Sequence, residues 1–252
     1  MIENSKELEK LISICHKNLR NSKECLSYLK NRGLTKDDVK NYKIGYFPRN
    51  PSVLTNHVSA DFLKKVNLLD YSNNSDFSNY FYLVFPIYSE YGKPIGLSGR
   101  TLLDDDGRSI IGIPKYKNSS YKKSNILYGL DQARDHIIKS KNVYVTEGYF
   151  DKIAMTRAGM KNCIAICGTA FSQNHFVKLA RYTDKITFLL DSDDAGVRSA
   201  IRIYNKYLNK GIKLRFLKYP DSYKDIDEYF ANKSNSTVSF KKDFKLTIPN
   251  VW

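Results

Sequence analysis

Between residues 142 and 230 the chain passes four times from a short apolar run to a helix-like stretch. No other feature of the sequence constrains the fold as much. "NVYVTE" (142–147) leads to "YFDKIAMTRAG", and "NCIAICG" (162–168) leads to "FSQNHFVKLARY". "KITFLLDSD" (185–193) leads to "AGVRSAIRIYNKYLNKG", and "IKLRFLKY" (212–219) leads to "DIDEYFAN". This alternation predicts a mostly parallel sheet with crossover helices, an α/β fold.

In open α/β sheets, ligands gather beyond the carboxyl ends of the strands. Carboxylates stand at those ends here: Glu147 after the first run, Asp191 and Asp193 after the third, and Asp225 and Asp227 after the fourth. Asp151 falls four residues after Glu147, in the first turn of the next helix. Gly148 and Gly196 suit tight turns and close ligand approach. Asp191 and Asp193, two apart on an extended segment, are expected to point to the same side. Like charges packed together are costly, and a hard divalent cation relieves the conflict. Oxygen-only ligands select Mg²⁺ or Mn²⁺. Asp151 and Asp194 also fit plain helix-cap or turn positions.

The first 137 residues read as a mixed α+β region. Helices are expected from Lys6 to Leu19, from Lys23 to Arg32 before Gly33, and from Thr35, which carries an N-cap signature. "SNNSDFSN" (72–79) and "DDDG" (104–107) read as turns. Strands are expected over Tyr80–Tyr88 and Pro94–Leu103 around the hairpin-like "SEYGK". The predicted organisation is thus a mixed α+β region over 1–137, an α/β domain over 138–230, and an extended or partly disordered tail over 231–252.

Charge narrows the partners. Lys and Arg total 41 against 26 Asp and Glu, a net charge of +15, which favours a polyanion such as nucleic acid. No stretch approaches the roughly 20 apolar residues of a membrane span. The amphipathic N-terminus lacks the apolar core of a secretory signal. A cytoplasmic location without membrane association is expected, in the host cytoplasm if the chain is phage-encoded. Cys15, Cys25, Cys163 and Cys167 form no C-x-x-C pair, and the histidines add no ligand spacing beyond the adjacent Cys15 and His16. The cysteines therefore read as reduced thiols rather than a zinc site. No Walker-type phosphate loop is present.

An ordered series of motifs gives these features a family. "VTEGYFDKIA" (145–154), "LLDSDDAG" (189–196) and "KDIDEYF" (224–230) resemble the glutamate, D-G-D-x-A-G and K-D-P-D-E elements of Toprim domains, in the form found in DnaG-type primases. "CGTAFS" (167–172) resembles the G-T segment between them. Ahead of these, "CLSYLKNRGLTKDDVKNYKIGYFP" (25–48), "FPIYSEYGKPIGLSGR" (85–100), "PKYKNS" (114–119) and "LYGL" (127–130) resemble successive elements of the primase polymerase region. The resemblance runs unbroken over about 23–230. It departs from the family pattern at Ser192, Asp194, Ile226 and Ser98, and Asp194 places a negative charge where the family has a positive one.

The resemblance implies a DNA primase core that synthesises short RNA primers on a single-stranded DNA template from NTPs by metal-dependent nucleotidyl transfer. It assigns Glu147, Asp191 and Asp193 to catalysis and Glu147, Asp151, Asp191, Asp193, Asp225 and Asp227 to Mg²⁺ or Mn²⁺. Arg100, Lys115, Asn118 and Lys123, with Arg32 a weaker candidate, are implied to line the nucleic-acid and NTP surface. Tyr116, Tyr121 and Tyr128 are candidates for stacking on bases. A zinc ribbon ahead of residue 25 and a helicase-binding region after 230 are not seen. A replicative helicase or a separate zinc-binding subunit is therefore an expected partner, and the source leans towards a phage or mobile element. The alternatives are a Toprim-type nuclease, which lacks the matching first half, and a non-catalytic primase-derived binding module, against which the intact carboxylates argue. A topoisomerase needs a much larger architecture.

Overall fold

The computed structural model describes residues 2–168, 170–220, 222–223, 225–232 and 235–247. The chain divides into two compact units, Met1–Ser89 with Lys93–Tyr121, and Glu90–Gly92 with Lys122–Trp252.

In the first unit, helices α1 (Ile2–Asn18), α2 (Lys23–Asn31) and α3 (Lys36–Asn41) precede strand β1 (Gly45–Tyr46). Short helices α4 (Ser52–Thr55), α5 (Ala60–Lys65) and α6 (Asp76–Asn79) lead to β2 (Leu83–Tyr88), β3 (Pro94–Arg100), α7 (Asp105–Ile111) and β4 (Tyr116–Asn118). Leu8, Leu11, Ile12 and Cys15 recur every three or four residues on α1, and all are buried where α1 packs on β1 and β3. The strands form an antiparallel sheet in the order β1-β2-β3-β4, with Phe85 opposite Ser98 and Arg100 opposite Tyr116. Thr35 caps α3 in a reciprocal capping box with Asp38. Two expected turns are partly helical. The Asp104 side chain accepts from Gly107 N–H at 2.8 Å and starts α7, because three successive acids suit a helix N-terminus. Ser75 caps α6 in the same way.

The second unit holds α8 (Leu130–Ser140), β5 (Val143–Thr146), α9 (Tyr149–Arg157), β6 (Cys163–Ala165), α10 (Gln173–Ala180) and β7 (Lys185–Leu189). After these come α11 (Asp194–Tyr207), β8 (Lys213–Lys218), α12 (Ile226–Ala231), α13 (Thr237–Asp243) and β9 (Lys245–Thr247). The sheet runs β6-β5-β7-β8-β9, parallel through its first four members, with β9 antiparallel on β8. It is covered on both faces. Val143, Val145, Ile186 and Phe188 pack with residues of α8, α10 and α11, while Leu189 packs with residues of α9, α12 and α13. Lys152 is buried on α9, and its Nζ donates to Gln132 Oε1 at 2.9 Å. Its stem lies so close to Gly129 that a Cβ there would meet Lys152 Cε at 2.2 Å, and Gly129 also takes a φ of 76°.

The structure groups two segments differently from the sequence reading. Residues 122–137, grouped with the first region by the sequence reading, belong to the second unit, where Leu130, Ala133 and Ile137 of α8 enter the sheet core. The tail is not an extended arm over 235–247. It folds back as α13 and β9, and Phe240 and Phe244 close a core with Tyr229. Among the described residues no helix is long and apolar enough to cross a membrane.

Candidate active site

The parallel register of β5, β7 and β8 brings their carboxyl ends to one edge of the sheet. Glu147 follows β5 directly, Asp191 stands two residues beyond β7, and Asp225 caps α12 after β8. Backbone amides hold the carboxylates in place. Glu147 Oε1 accepts from Asp191 N–H at 3.1 Å, joining the ends of β5 and β7. Asp151 accepts from Gly148 N–H at 2.9 Å and from Asp227 N–H at 3.3 Å, tying α9 to α12. Asp193 caps α11 by accepting from Gly196 N–H at 2.8 Å, and Asp225 accepts from Glu228 N–H at 2.7 Å. Asp191 and Asp193 therefore do not share a strand face. They lie in the turn between β7 and α11, with Asp191 half-buried and Asp193 exposed. That turn is tight: a Cβ on Gly196 would meet the Asp191 carbonyl oxygen at 2.0 Å.

The electrostatics show the crowding. Burial, then the charges of Glu147, Asp151, Asp225 and Asp193, push the Asp191 carboxyl up from 3.8 to about 8. Burial, then Asp225 and Asp227, push Asp151 up to about 7. Burial, with a contribution from Asp193, raises Glu147. Tyr219, just beyond β8, is buried, and its phenol is raised by that burial and by Asp151, Asp191, Asp225 and Glu147. Nothing in the pattern of apolar runs marked it as a neighbour of the acidic rim. Asp194 is exposed and is the first residue of α11.

In the first unit the cations Arg32, Arg100 and Lys115 come together. Partial desolvation, then Arg100, Arg32 and Arg108, push the Lys115 ammonium below its usual range. The Arg100 guanidinium lies 5.1 Å from the rings of both Tyr28 and Tyr116 and donates to Tyr116 Oη at 2.6 Å. Tyr28 and Arg108 are additions to the expected set. Tyr28 reads from sequence as a plain α2 residue, and Arg108 directly follows the stretch 104–107 that read as a turn. Asn118 accepts from the Tyr121 hydroxyl at 2.5 Å. Lys123 lies in the second unit, exposed on a turn, and its charge reaches Cys167, as does that of Asp151. Tyr128 is buried against Tyr149, with ring centroids 4.7 Å apart, so it packs the core and does not offer a face to a base. Thr169 of "CGTAFS" and Lys224 of "KDIDEYF" lie outside the described residues.

Residues 14–134 match the family model for the N-terminal domain of the DNA primase catalytic core, and residues 144–230 match a Toprim-like model. The two follow one another in the order of the folded units. The chain belongs to the DnaG-type primase family. A DNA primase of Rickettsia felis is 31% identical over 262 aligned residues, covering 95% of this chain and 43% of that protein. The chain thus spans less than half the length of that relative. Among solved structures, the zinc-binding and RNA polymerase domains of the Aquifex aeolicus primase align with a TM-score of 0.82 at 26% identity, over 98% of this chain and 60% of that one. The RNA polymerase domain of Mycobacterium tuberculosis DnaG, solved with a double-stranded DNA oligomer bearing a 6-nucleotide overhang, shares the fold. Its TM-score is 0.80 at 24% identity, over 92% and 77% of the two chains.

Primase cores of the Toprim type depend on a metal ion, and the donors here fit one. They are all oxygen, they stand at the ligand edge of the sheet, and burial and then their mutual charge raise carboxyl pKa values that a divalent cation would lower again. Among the described residues, no three acidic, histidine or cysteine side chains stand close enough together to enclose an ion. Backbone amides instead claim an oxygen of Glu147, Asp151, Asp193 and Asp225.

Proposed function

We propose that this chain is a primase catalytic core that joins ribonucleotides on a single-stranded DNA template, with Mg²⁺ or Mn²⁺ held at the acidic rim. One observation carries the reading. Glu147, Asp151, Asp191, Asp193 and Asp225 gather at the carboxyl edge of a parallel sheet, where burial and then their neighbouring charges push Asp191 up to about 8, in a chain that is otherwise strongly basic. A divalent cation bound there would neutralise charge on the attacking oxygen and on the pyrophosphate leaving group. Asp191 and Asp193 are the proposed central ligands, with Asp151, Asp225 and Asp227 around them. Glu147 is held through Oε1 by the Asp191 amide, which leaves Oε2 to take the proton of the attacking hydroxyl. Arg100, Lys115, Arg32 and Asn118 of the first unit are the proposed grip on template and NTP phosphates, and Lys123 of the second unit is proposed by itself as a further phosphate contact. Tyr116 and Tyr121 are the proposed stacking surfaces. The DNA oligomer bound by the Mycobacterium tuberculosis relative supports a DNA partner. The resemblance adds a replicative helicase as a proposed partner.

The test is to incubate the chain with single-stranded DNA, the four NTPs and Mg²⁺. Oligoribonucleotides complementary to the template are expected, and Glu147→Gln should lower their yield by at least about two powers of ten. Template cleavage without synthesis would assign a Toprim nuclease, and binding without any product would assign a non-catalytic module.

A further inference from the structure

The excursion between β3 and β4 carries charges that the family resemblance leaves unassigned. Its ends are two cations of the basic cluster. Arg100 lies opposite Tyr116, and the Thr101 N–H donates to the Lys115 carbonyl at 3.2 Å. Between them runs α7, which is held by caps and charge rather than by packing. None of its residues is buried, Ile110 is 85% exposed, and it closes on Gly112 at φ 74°. Within α7 the Arg108 guanidinium bonds the Asp105 carboxylate one turn earlier. The arginine side chain is 19% exposed and the aspartate 94%. Arg108 Nε is buried and has no hydrogen-bond partner among the described residues.

The charges place this pair inside the cluster. Asp105 is held below the usual carboxyl range by Arg108 first, then by Lys115 and Arg100. Lys115 in turn senses Arg100, Arg32 and Arg108. Three cations, Arg108, Lys115 and Arg100, therefore act on one exposed carboxylate, and Arg32 joins them through Lys115. An exposed i,i+3 ion pair is among the weaker ones. The Nε–Nη2 edge of this guanidinium meets one carboxylate oxygen through Nη2 and leaves Nε without a partner, so the forked acceptors of a phosphate suit it better.

We propose that Arg108 is a further phosphate ligand of this surface and that Asp105 is its built-in stand-in. On this reading the carboxylate holds the guanidinium in place until an incoming phosphate displaces it. The proposal rests on the reading of the basic cluster as the phosphate-binding surface. The shared chemistry is the phosphate group, which a single-stranded DNA backbone and an NTP both supply.

The experiment uses the full chain without metal. Fluorescence anisotropy follows a labelled oligo(dT) across a salt series, and calorimetry follows ATP. Arg108→Ala is expected to weaken oligo(dT) binding about tenfold and to lower the log–log salt slope by about 0.7, the share of one phosphate contact. Asp105→Asn is expected to shift affinity the opposite way, tightening it about threefold at low salt, since removing a like charge relieves competition. Because no whole residue of α7 is buried, both variants should melt close to the wild-type temperature. Changes confined to oligo(dT) assign the site to the DNA backbone, and changes confined to ATP assign it to the nucleotide. If Arg100→Ala and Lys115→Ala weaken binding while Arg108→Ala and Asp105→Asn bind both ligands as the wild type does, the proposal is overturned. If all four variants bind as the wild type does, the reading of the basic cluster fails, and this proposal fails with it.

Discussion

At the scale of single residues, the acidic rim is a set of carboxylates whose folding free energy depends on pH and on metal. Asp191 rises from 3.8 to about 8 in the folded chain, so the folded state binds a proton that the unfolded state has released. A raised carboxyl contributes stability that is fully present below about pH 4 and is lost as pH rises through about 8. The metal-free wild type should therefore lose melting temperature across that window. Asp191→Asn, which has no carboxyl to ionise, should lose less and should melt a few degrees higher at pH 8, at about 2–4 °C per kcal/mol for a chain of this size. Adding Mg²⁺ at pH 8 should reverse the order by stabilising only the wild type. Melting curves at pH 5 and pH 8, with and without Mg²⁺, check this, and equal pH slopes in the two proteins would count against a crowded Asp191. The residue types and their strand-end positions were legible in the sequence, because a strand ends where its apolar run ends. The side-chain directions were not. Asp193 follows β7 closely enough to look like a strand residue, yet its oxygen is claimed by Gly196 N–H, and that capping bond turns it away from the extended phase shared with Asp191.

At the scale of elements, legibility followed periodicity. The four runs that became β5, β6, β7 and β8 alternate with helices long enough to show an apolar stripe, and all four formed where expected. The elements that escaped are short and polar. In α13, Phe240 is the buried side chain, and with Phe244 four residues on it gives only two buried apolar points, Val238 being exposed, too few to set a period. Its order comes from tertiary packing, since a helix of 7 residues has little stability of its own. That packing makes a prediction. Phe240 stacks on Phe230 and packs on Phe244 and Tyr144, so Phe240→Ala should destabilise the chain by about 3–5 kcal/mol. Urea unfolding would measure it. A loss below about 1 kcal/mol would show that the C-terminal segment does not close this core. The acids that begin α7 were misread for a related reason, because a run of aspartates serves a turn and a helix start equally well.

At the scale of the whole molecule, the net charge of +15 bears on partners and association rather than on fold. Single-stranded DNA affinity should fall steeply with salt, with a log–log slope of several units at about 0.7 per neutralised phosphate. A flat salt dependence would leave the basic residues without their assigned role. The two-part organisation was legible from the change of pattern along the chain. Its boundary was not, because Leu130, Ala133 and Ile137 show helical spacing without revealing which sheet they cover. The central claim is that the carboxyl edge of the parallel sheet holds a divalent cation, and the most direct measurement is Mn²⁺ binding by calorimetry to the wild type, Asp191→Asn and Asp194→Asn. The account predicts that Asp191→Asn binds at least about tenfold more weakly, as loss of a ligand at a hard-cation site requires. It predicts that Asp194→Asn, altered at the exposed first residue of α11, binds nearly as the wild type does. Wild-type Mn²⁺ affinity in a well-folded Asp191→Asn protein would contradict it.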